Sequence, residues 1–515
     1  MSILLSKMPS EIWVVPFFGQ GHLLPSIELC KLIASKNFKT TLIISSDLSS
    51  TIPSSFSQYP LIHVAQLPSS PPPPPPPEPS SDPFQHHLQH HSQMAQAIQN
   101  LISIRSQNPD LGFPVCAVVD VMMSWTGEIF NKFGIPTVGF FTSGACSAAM
   151  EYAMWKNYPK DLKPGEIRLL PGLPEDMALT DLDLKERPHG PPGPPPGGIG
   201  GAPVVPPGPP GGFPRPPGGI GPRDFGPPKA ADQPPWLEET KGSIALMINT
   251  CNLLEQPFIE YLSTQIGKPV WGVGPLLPDQ YWKSSGSILH DHQFRANRRS
   301  SVTEDEVITW LNSKPRGSVL YVSFGSEVGP SIEEYQHLAN ALEESNRSFI
   351  WVIQLGSGRH GPPRPAGQAE TEEGYFPHGL KERVGERGLI IHGWAPQLLI
   401  LNHPSTGGFL SHCGWNSTAE AIGLGMPILA WPIRGDQFFN AKLIVKHLKL
   451  GYMICDDMST RVKKDAIIKG MEKLLGDEDV KQRAALLGAQ FRNGFPPSSL
   501  DALDAFRDFI NHNKT

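Results

Sequence analysis

Twice along this chain, short apolar runs of strand length alternate with stretches of helical spacing, and this doubled pattern narrows the fold more than any other feature. The first set of runs covers residues 12–18, 40–44, 115–119, 137–141 and 245–249. Between them, 23–34 has helical apolar spacing after the turn Gly19-Gln20-Gly21, and another helix starts near Ser124. The pattern restarts after about residue 300, with runs at 319–324, 349–353, 389–391, 408–411 and 428–430. Continuously apolar strands joined by helices belong to parallel sheets covered on both faces. Each half therefore reads as a doubly wound, Rossmann-like α/β domain. At 515 residues the chain is also too long for a single core.

The expected organisation is an N-terminal domain over 1–265, a linker over 266–300, a second domain over 301–490 and a C-terminal helix over 491–515 that packs back on the first domain. Ligands of paired domains of this kind bind in the cleft at the carboxyl ends of the strands. Two segments break the pattern. Residues 71–77 are an unbroken proline run, which favours extended polyproline II. Residues 188–235 are dominated by Pro and Gly without a strict three-residue period, so they read as a disordered surface insertion rather than collagen.

The formal net charge of −6 and the absence of Lys/Arg runs argue against a nucleic-acid or polybasic membrane surface. No apolar stretch has the length to span a bilayer, and no secretory leader is read at the N-terminus. The six cysteines are scattered without a Cys-x-x-Cys pair, which fits a reduced cytoplasmic protein and leaves no zinc pattern.

The chemistry concentrates in residues 394–437. His412-Cys413-Gly414-Trp415-Asn416-Ser417 follows a strand and opens a helix, where successive backbone N–H groups form an anion site that Gly414 lets a ligand approach. Trp394 offers a flat face for a base and Gln397 an amide edge; Glu420, one turn into the helix, suits ribose hydroxyls. Asp436 and Gln437 suit the hydroxyls of a sugar. Singly, these are the core residues, caps and turns of any α/β domain; together they provide for base, ribose, diphosphate and hexose.

This block, running without gaps from Trp394 to Gln437, resembles the signature of the plant family 1 UDP-glycosyltransferases. Segments 318–326 (SVLYVSFGS), 349–353 (FIWVI) and 272–276 (GVGPL), with Asn249-Thr250 and Leu254-Glu255, look like further landmarks of that family. The Pro/Gly-rich insertion departs from its pattern. The resemblance implies the GT-B fold of two Rossmann-like domains facing across a cleft. It implies that Trp394 stacks on the uracil with Gln397 at its edge, and that Glu420 holds the ribose. It assigns His412, Asn416 and Ser417 to the diphosphate, with Ser326 nearby, and Trp415, Asp436, Gln437 and Thr142 to the sugar; Ala395 and Gly414 complete the donor site. Gln437 at the end of the signature favours UDP-glucose.

His22 follows the first strand and Asp120 ends the 115–119 run, so both belong at the carboxyl edge of the first sheet. A histidine suits removal of a hydroxyl proton, and a carboxylate orients the ring and stabilises its charge. The matching residues of the family play these roles. The alternatives are a helix cap or buried turn histidine for His22 and a capping carboxylate for Asp120.

Asp181-Leu182-Asp183 and Asp477-Glu478-Asp479 spell an Asp-x-Asp, but a loop and a helix start explain them better than metal. His86, His87, His90 and His91 have helical spacing that can bind metal, yet no clear carboxylate or Cys completes a site; they read as a solvent-facing or acceptor-pocket helix. Gly19-x-Gly21 lacks the third glycine of a dinucleotide fingerprint, so an NAD enzyme has little support. The expectation is a monomeric, inverting glucosyltransferase that needs no metal or cofactor and binds a UDP-sugar and a small apolar acceptor such as a phenolic or flavonoid. The rival is a non-catalytic nucleotide-sugar scaffold that uses its Pro-rich insertion.

Overall fold

Parallel strands dominate the computed structural model of this chain, which describes residues 9–68, 83–108, 112–158, 162–185, 232–283, 300–326, 328–354 and 375–512. The strands of the first half are β1 (Glu11–Val15), β2 (Lys39–Ser45), β3 (Ile62–Leu67), β4 (Cys116–Asp120), β5 (Thr137–Phe141), the short pair β6 (Ile167–Arg168) and β7 (Leu179–Thr180), β8 (Ala245–Ile248) and β9 (Val270–Gly272). Those of the second half are β10 (Val319–Ser323), β11 (Ser348–Ile353), β12 (Gly388–His392), β13 (Thr406–Ser411), β14 (Ile428–Ala430) and β15 (Gly451–Met453).

The first large sheet has the order β3-β2-β1-β4-β5-β8-β9, the second β12-β11-β10-β13-β14-β15, and every pairing within them is parallel. Strands β1, β4, β5 and β10 are buried at every position, because helices cover both faces. In each sheet the strand order reverses once: between β1 and β4, and between β10 and β13. Adjacent loops diverge at such a point and leave a crevice at the carboxyl ends of the strands.

The helix Pro497–His512 returns to the first sheet, where Leu503, Phe506 and Ile510 join a core that includes Ile12, Val14 and Val273. Trp271 meets Phe506 and Phe509 edge-on, and Ser499 donates to the Gly274 carbonyl at 2.6 Å.

Three boundaries differ from the sequence reading. β9 lies inside the segment assigned to the linker yet pairs with β8, so the first unit extends past 265; a three-residue strand behind Pro269 has no periodicity to betray it. The Pro/Gly segment is shorter at its end than 235, since Pro235 starts the helix Pro235–Glu239, and Trp236 packs edge-on to Phe141. Pro suits that first turn, where its missing N–H leaves no bond unmade. The rest of that segment, up to 231, and the proline run at 71–77 lie outside the described residues. Third, the first helix spans Gln20–Ser35, starting three residues early, so His22 sits in its first turn.

The His-rich stretch belongs to the helix Pro83–Ser106, whose Met94, Ile98 and Ile102 pack against Trp13 and Val119. The side chains of its four histidines lie outside the description.

Candidate active site

At the first switch point, β1 leads into the helix carrying His22 and β4 ends on Asp120. His22 Nδ1 lies 2.7 Å from Asp120 Oδ2. The carboxylate is 1% exposed, whereas a quarter of the imidazole surface stays open. Asp120 also accepts the Met122 N–H on its other oxygen at 2.9 Å. Helix capping and ring orientation are thus done by one side chain, one oxygen each. With the Nδ1 proton directed at Asp120, the ring's lone pair is on Nε2. Phe17 stands edge-on to the ring at 5.1 Å between centroids. The hydroxyl of Thr142, assigned to the sugar, lies 3.0 Å from His22 Nδ1.

At the second switch point, β13 runs into the helix Trp415–Gly423 through His412, Cys413 and Gly414. Cys413 has φ +62°, a left-handed conformation uncommon outside glycine, and it turns the chain sharply into the helix. Gly414 and Gly325 both flank His412: a Cβ at 325 would stand 2.7 Å from its Nε2. Burial, then the Arg434 charge, push the His412 pKa down to about 4, so this ring is neutral at ordinary pH. The ring is a neutral dipole, not a cation. Ser326 is exposed in the loop after β10.

Gln397 begins the helix Gln397–Asn402, and its amide donates to Ser417 Oγ at 3.0 Å and to Glu420 Oε2 at 2.7 Å, while its oxygen accepts from Tyr321 at 3.2 Å. The residues assigned to base edge, ribose and phosphate are therefore one connected group. Trp394 is half-buried just before it, and the Ala395 methyl is buried in the core, which leaves its backbone to meet a ligand. Gln437 uses its side-chain oxygen to accept the N–H groups of Ile433 and Arg434, at 2.9 and 3.0 Å, and so braces its own loop.

Several donor-block residues face the other domain. The Trp415 indole is 4% exposed and donates to the Asn249 carbonyl at 2.5 Å, so its ring fastens the two domains together. Asn416 Nδ2 donates to the Gly21 carbonyl at 2.9 Å, one residue before His22. Asp436 accepts from Ser143 Oγ at 2.7 Å and from Asn440 Nδ2 at 3.0 Å. Its pKa is raised, chiefly by burial, against the lowering effect of those two bonds.

Sequence reasoning gave no site role to Ser143, Asn249, Glu255 or Asn440. Asn249 is a hub: Nδ2 donates to the Thr142 carbonyl and Oδ1 accepts the Leu276 N–H. Glu255, fully buried, accepts the N–H groups of Ala145 and Cys146 at the start of the helix Ala145–Lys156, and burial raises its pKa. Asn249 and Glu255 stood among the family landmarks, the only signal that could have found them.

The two Asp-x-Asp motifs have structural partners. Asp183 closes a capping box with Thr180 and pairs with Lys442 at 2.7 Å across the domains. Asp477 caps the helix Glu478–Phe491 and accepts from the Tyr452 hydroxyl. Among the described residues no group of three His, Cys, Asp or Glu could hold a metal ion, and no helix is long and apolar enough to cross a membrane. The six cysteines form no disulfide.

A family model described as UDP-glucoronosyl and UDP-glucosyl transferase matches residues 294–501, which include the whole donor block. The likeness to curated proteins extends over both domains. UDP-glycosyltransferase 73C3 of Arabidopsis thaliana is 29% identical over 510 residues, covering 91% of this chain and 88% of its own length. Over both halves the chain is thus similar to UDP-glycosyltransferases. UDP-glycosyltransferase 73E1 of Stevia rebaudiana is likewise 29% identical, over 91% of this chain and 88% of that protein. Among solved structures, a Glycyrrhiza uralensis UDP-glycosyltransferase, UGT73P12, complexed with glycyrrhetinic acid 3-O-monoglucuronide superposes with a TM-score of 0.72 at 24% identity, covering 98% of this chain and 96% of that one. Medicago truncatula UGT71G1 complexed with UDP-glucose gives 0.66 at 24%, covering 98% of each chain. These structures share the GT-B fold with this chain.

Proposed function

We propose that this enzyme moves glucose from UDP-glucose to a hydroxyl of a small apolar acceptor, a phenolic or flavonoid in class, with inversion at the anomeric carbon. The observation that carries the reading is the 2.7 Å contact between His22 and buried Asp120, at the same cleft as the donor block. His22 Nε2 takes the acceptor proton as the oxygen attacks, and Asp120 stabilises the imidazolium that forms. Trp394, Gln397 and Glu420 hold the uridine; the backbone N–H groups opening Trp415–Gly423, with neutral His412, meet the charge of the departing diphosphate. Asp436, with Gln437 beside it, receives sugar hydroxyls. UDP leaves from the face opposite the attacking oxygen, so an α-linked donor yields a β-glycoside.

On this reading the protein acts as a monomer in the cytosol, with no metal or cofactor. The unpaired cysteines and the donor set of amides, hydroxyls and backbone N–H groups support that part. The test is a screen of phenolic acceptors with UDP-glucose, with and without EDTA, read by mass spectrometry and followed by NMR of the linkage. A β-glucoside formed equally in EDTA is the expected product. An α-linkage, EDTA-sensitive transfer or UDP binding without turnover across the panel would overturn it.

A further inference from the structure

The turn Thr142-Ser143-Gly144, between β5 and the helix Ala145–Lys156, touches both halves of the site. The Thr142 hydroxyl lies 3.0 Å from His22 Nδ1, and the Ser143 hydroxyl donates to Asp436 Oδ2 at 2.7 Å. The other bond to Asp436, from Asn440, lands on that same oxygen. Among the described residues no hydrogen bond reaches Oδ1 of Asp436. One oxygen of the carboxylate is fastened from both sides, and the other keeps its acceptor capacity.

The turn itself has little room to move. Asn249 Nδ2 holds the Thr142 carbonyl at 3.1 Å, and Glu255 holds the N–H groups of Ala145 and Cys146 at 2.8 and 2.7 Å. A Cβ at Gly144 would meet both a Glu255 oxygen, at 2.7 Å, and the Trp415 ring, at 2.8 Å. A group held this way imposes its position on whatever it binds, and a carboxylate oriented before its ligand arrives pays less ordering entropy on binding.

We infer that Ser143 is a positioning residue for the donor hexose: it fixes Asp436 through Oδ2, aims Oδ1 at a sugar hydroxyl, and so registers the hexose against the His22 base held by the same turn. This rests on the reading of Asp436 as a sugar contact. UDP carries no hexose, so Ser143 matters for a UDP-sugar and not for UDP.

Calorimetric titration without acceptor tests this. UDP and the tightest-binding of UDP-glucose, UDP-galactose and UDP-xylose are titrated into the parent chain, Ser143→Ala, Ser143→Thr and Asp436→Ala. Ser143→Ala should weaken the UDP-sugar about fivefold, the scale of one hydrogen bond to a charged group made less well, with UDP unchanged. Ser143→Thr, which keeps the hydroxyl, should recover most of that loss. Equal weakening of both ligands by Ser143→Ala, or of neither, overturns the inference. If Asp436→Ala weakens the UDP-sugar and Ser143→Ala does not, the Ser143 inference alone falls. If Asp436→Ala also leaves the UDP-sugar untouched, the sugar-contact reading falls, and the inference with it.

Discussion

At the switch point of the first sheet the structure brings together an imidazole and a carboxylate, His22 and Asp120. At that of the second it gathers the N–H groups of a helix start, amides, hydroxyls and a neutral histidine after β10 and β13. Both sites hold a histidine, and the two differ in burial. His22 keeps a quarter of its ring open and has Asp120 beside it; His412 is 8% exposed and is pushed down to about 4. Proton transfer needs a ring that changes charge near the working pH. Binding a diphosphate on fixed dipoles needs a ring that does not.

The largest test of this contrast is His22→Ala. Transfer should fall by about 10²–10⁴-fold, the worth of a positioned general base, while calorimetric UDP-glucose affinity stays within a factor of about two. Loss of donor binding in parallel would erase the division of labour between the crevices.

Next comes the pH dependence of His412. Its folded pKa is depressed below the usual 6.5 to about 4, so between those values the unfolded chain takes up a proton that the folded chain refuses. This contribution to stability is fully present above about pH 6.5 and declines as pH falls towards 4, by about 3 kcal/mol over the window. Denaturant unfolding at a series of pH values measures it; His412→Asn should lack that component, and an unchanged profile would mean that the ring titrates normally.

A smaller effect is expected for Glu420→Ala, which removes the carboxylate that Gln397 holds at 2.7 Å. UDP should bind about tenfold more weakly, as for loss of a hydrogen bond to a charged group, with kcat little changed. A fall in kcat at constant UDP affinity would move Glu420 out of the ribose role. The smallest effect belongs to Ser326→Ala. A neutral, exposed hydroxyl is worth about threefold or less in UDP affinity. A larger loss would show that the loop after β10 closes on the phosphates in the bound state.

The two crevices were also unequally legible. Most of the donor group lies within 394–437, where strand, turn and helix follow one another, so contacts such as those of Gln397 with Ser417 and Glu420 stay inside one short stretch. His22, Asp120 and Thr142 are over a hundred residues apart at the extremes and are joined only because β1, β4 and β5 lie side by side in the first sheet. The sequence offered the edge of the sheet for His22 and Asp120, and the fold brought them to 2.7 Å. Thr142 was read as a sugar contact; the fold also sets its hydroxyl beside His22, one residue from the serine that reaches the second domain. Trp415 shows the reverse: its place in the block was visible, but not that its ring reaches Asn249 of the first domain.

Two parallel α/β units, and a helix opening just after β13, were already legible in the order of residues. Buried strands demand continuous apolar runs, and a helix start demands particular local residues. Only the tertiary structure decided how the units meet: Asn416 on Gly21, Trp415 on Asn249, Ser143 on Asp436 and Lys442 on Asp183. Each is a single polar contact between side chains or carbonyls far apart in the chain. Such contacts satisfy buried donors and acceptors wherever the surfaces touch, and they impose no periodicity that a sequence could display.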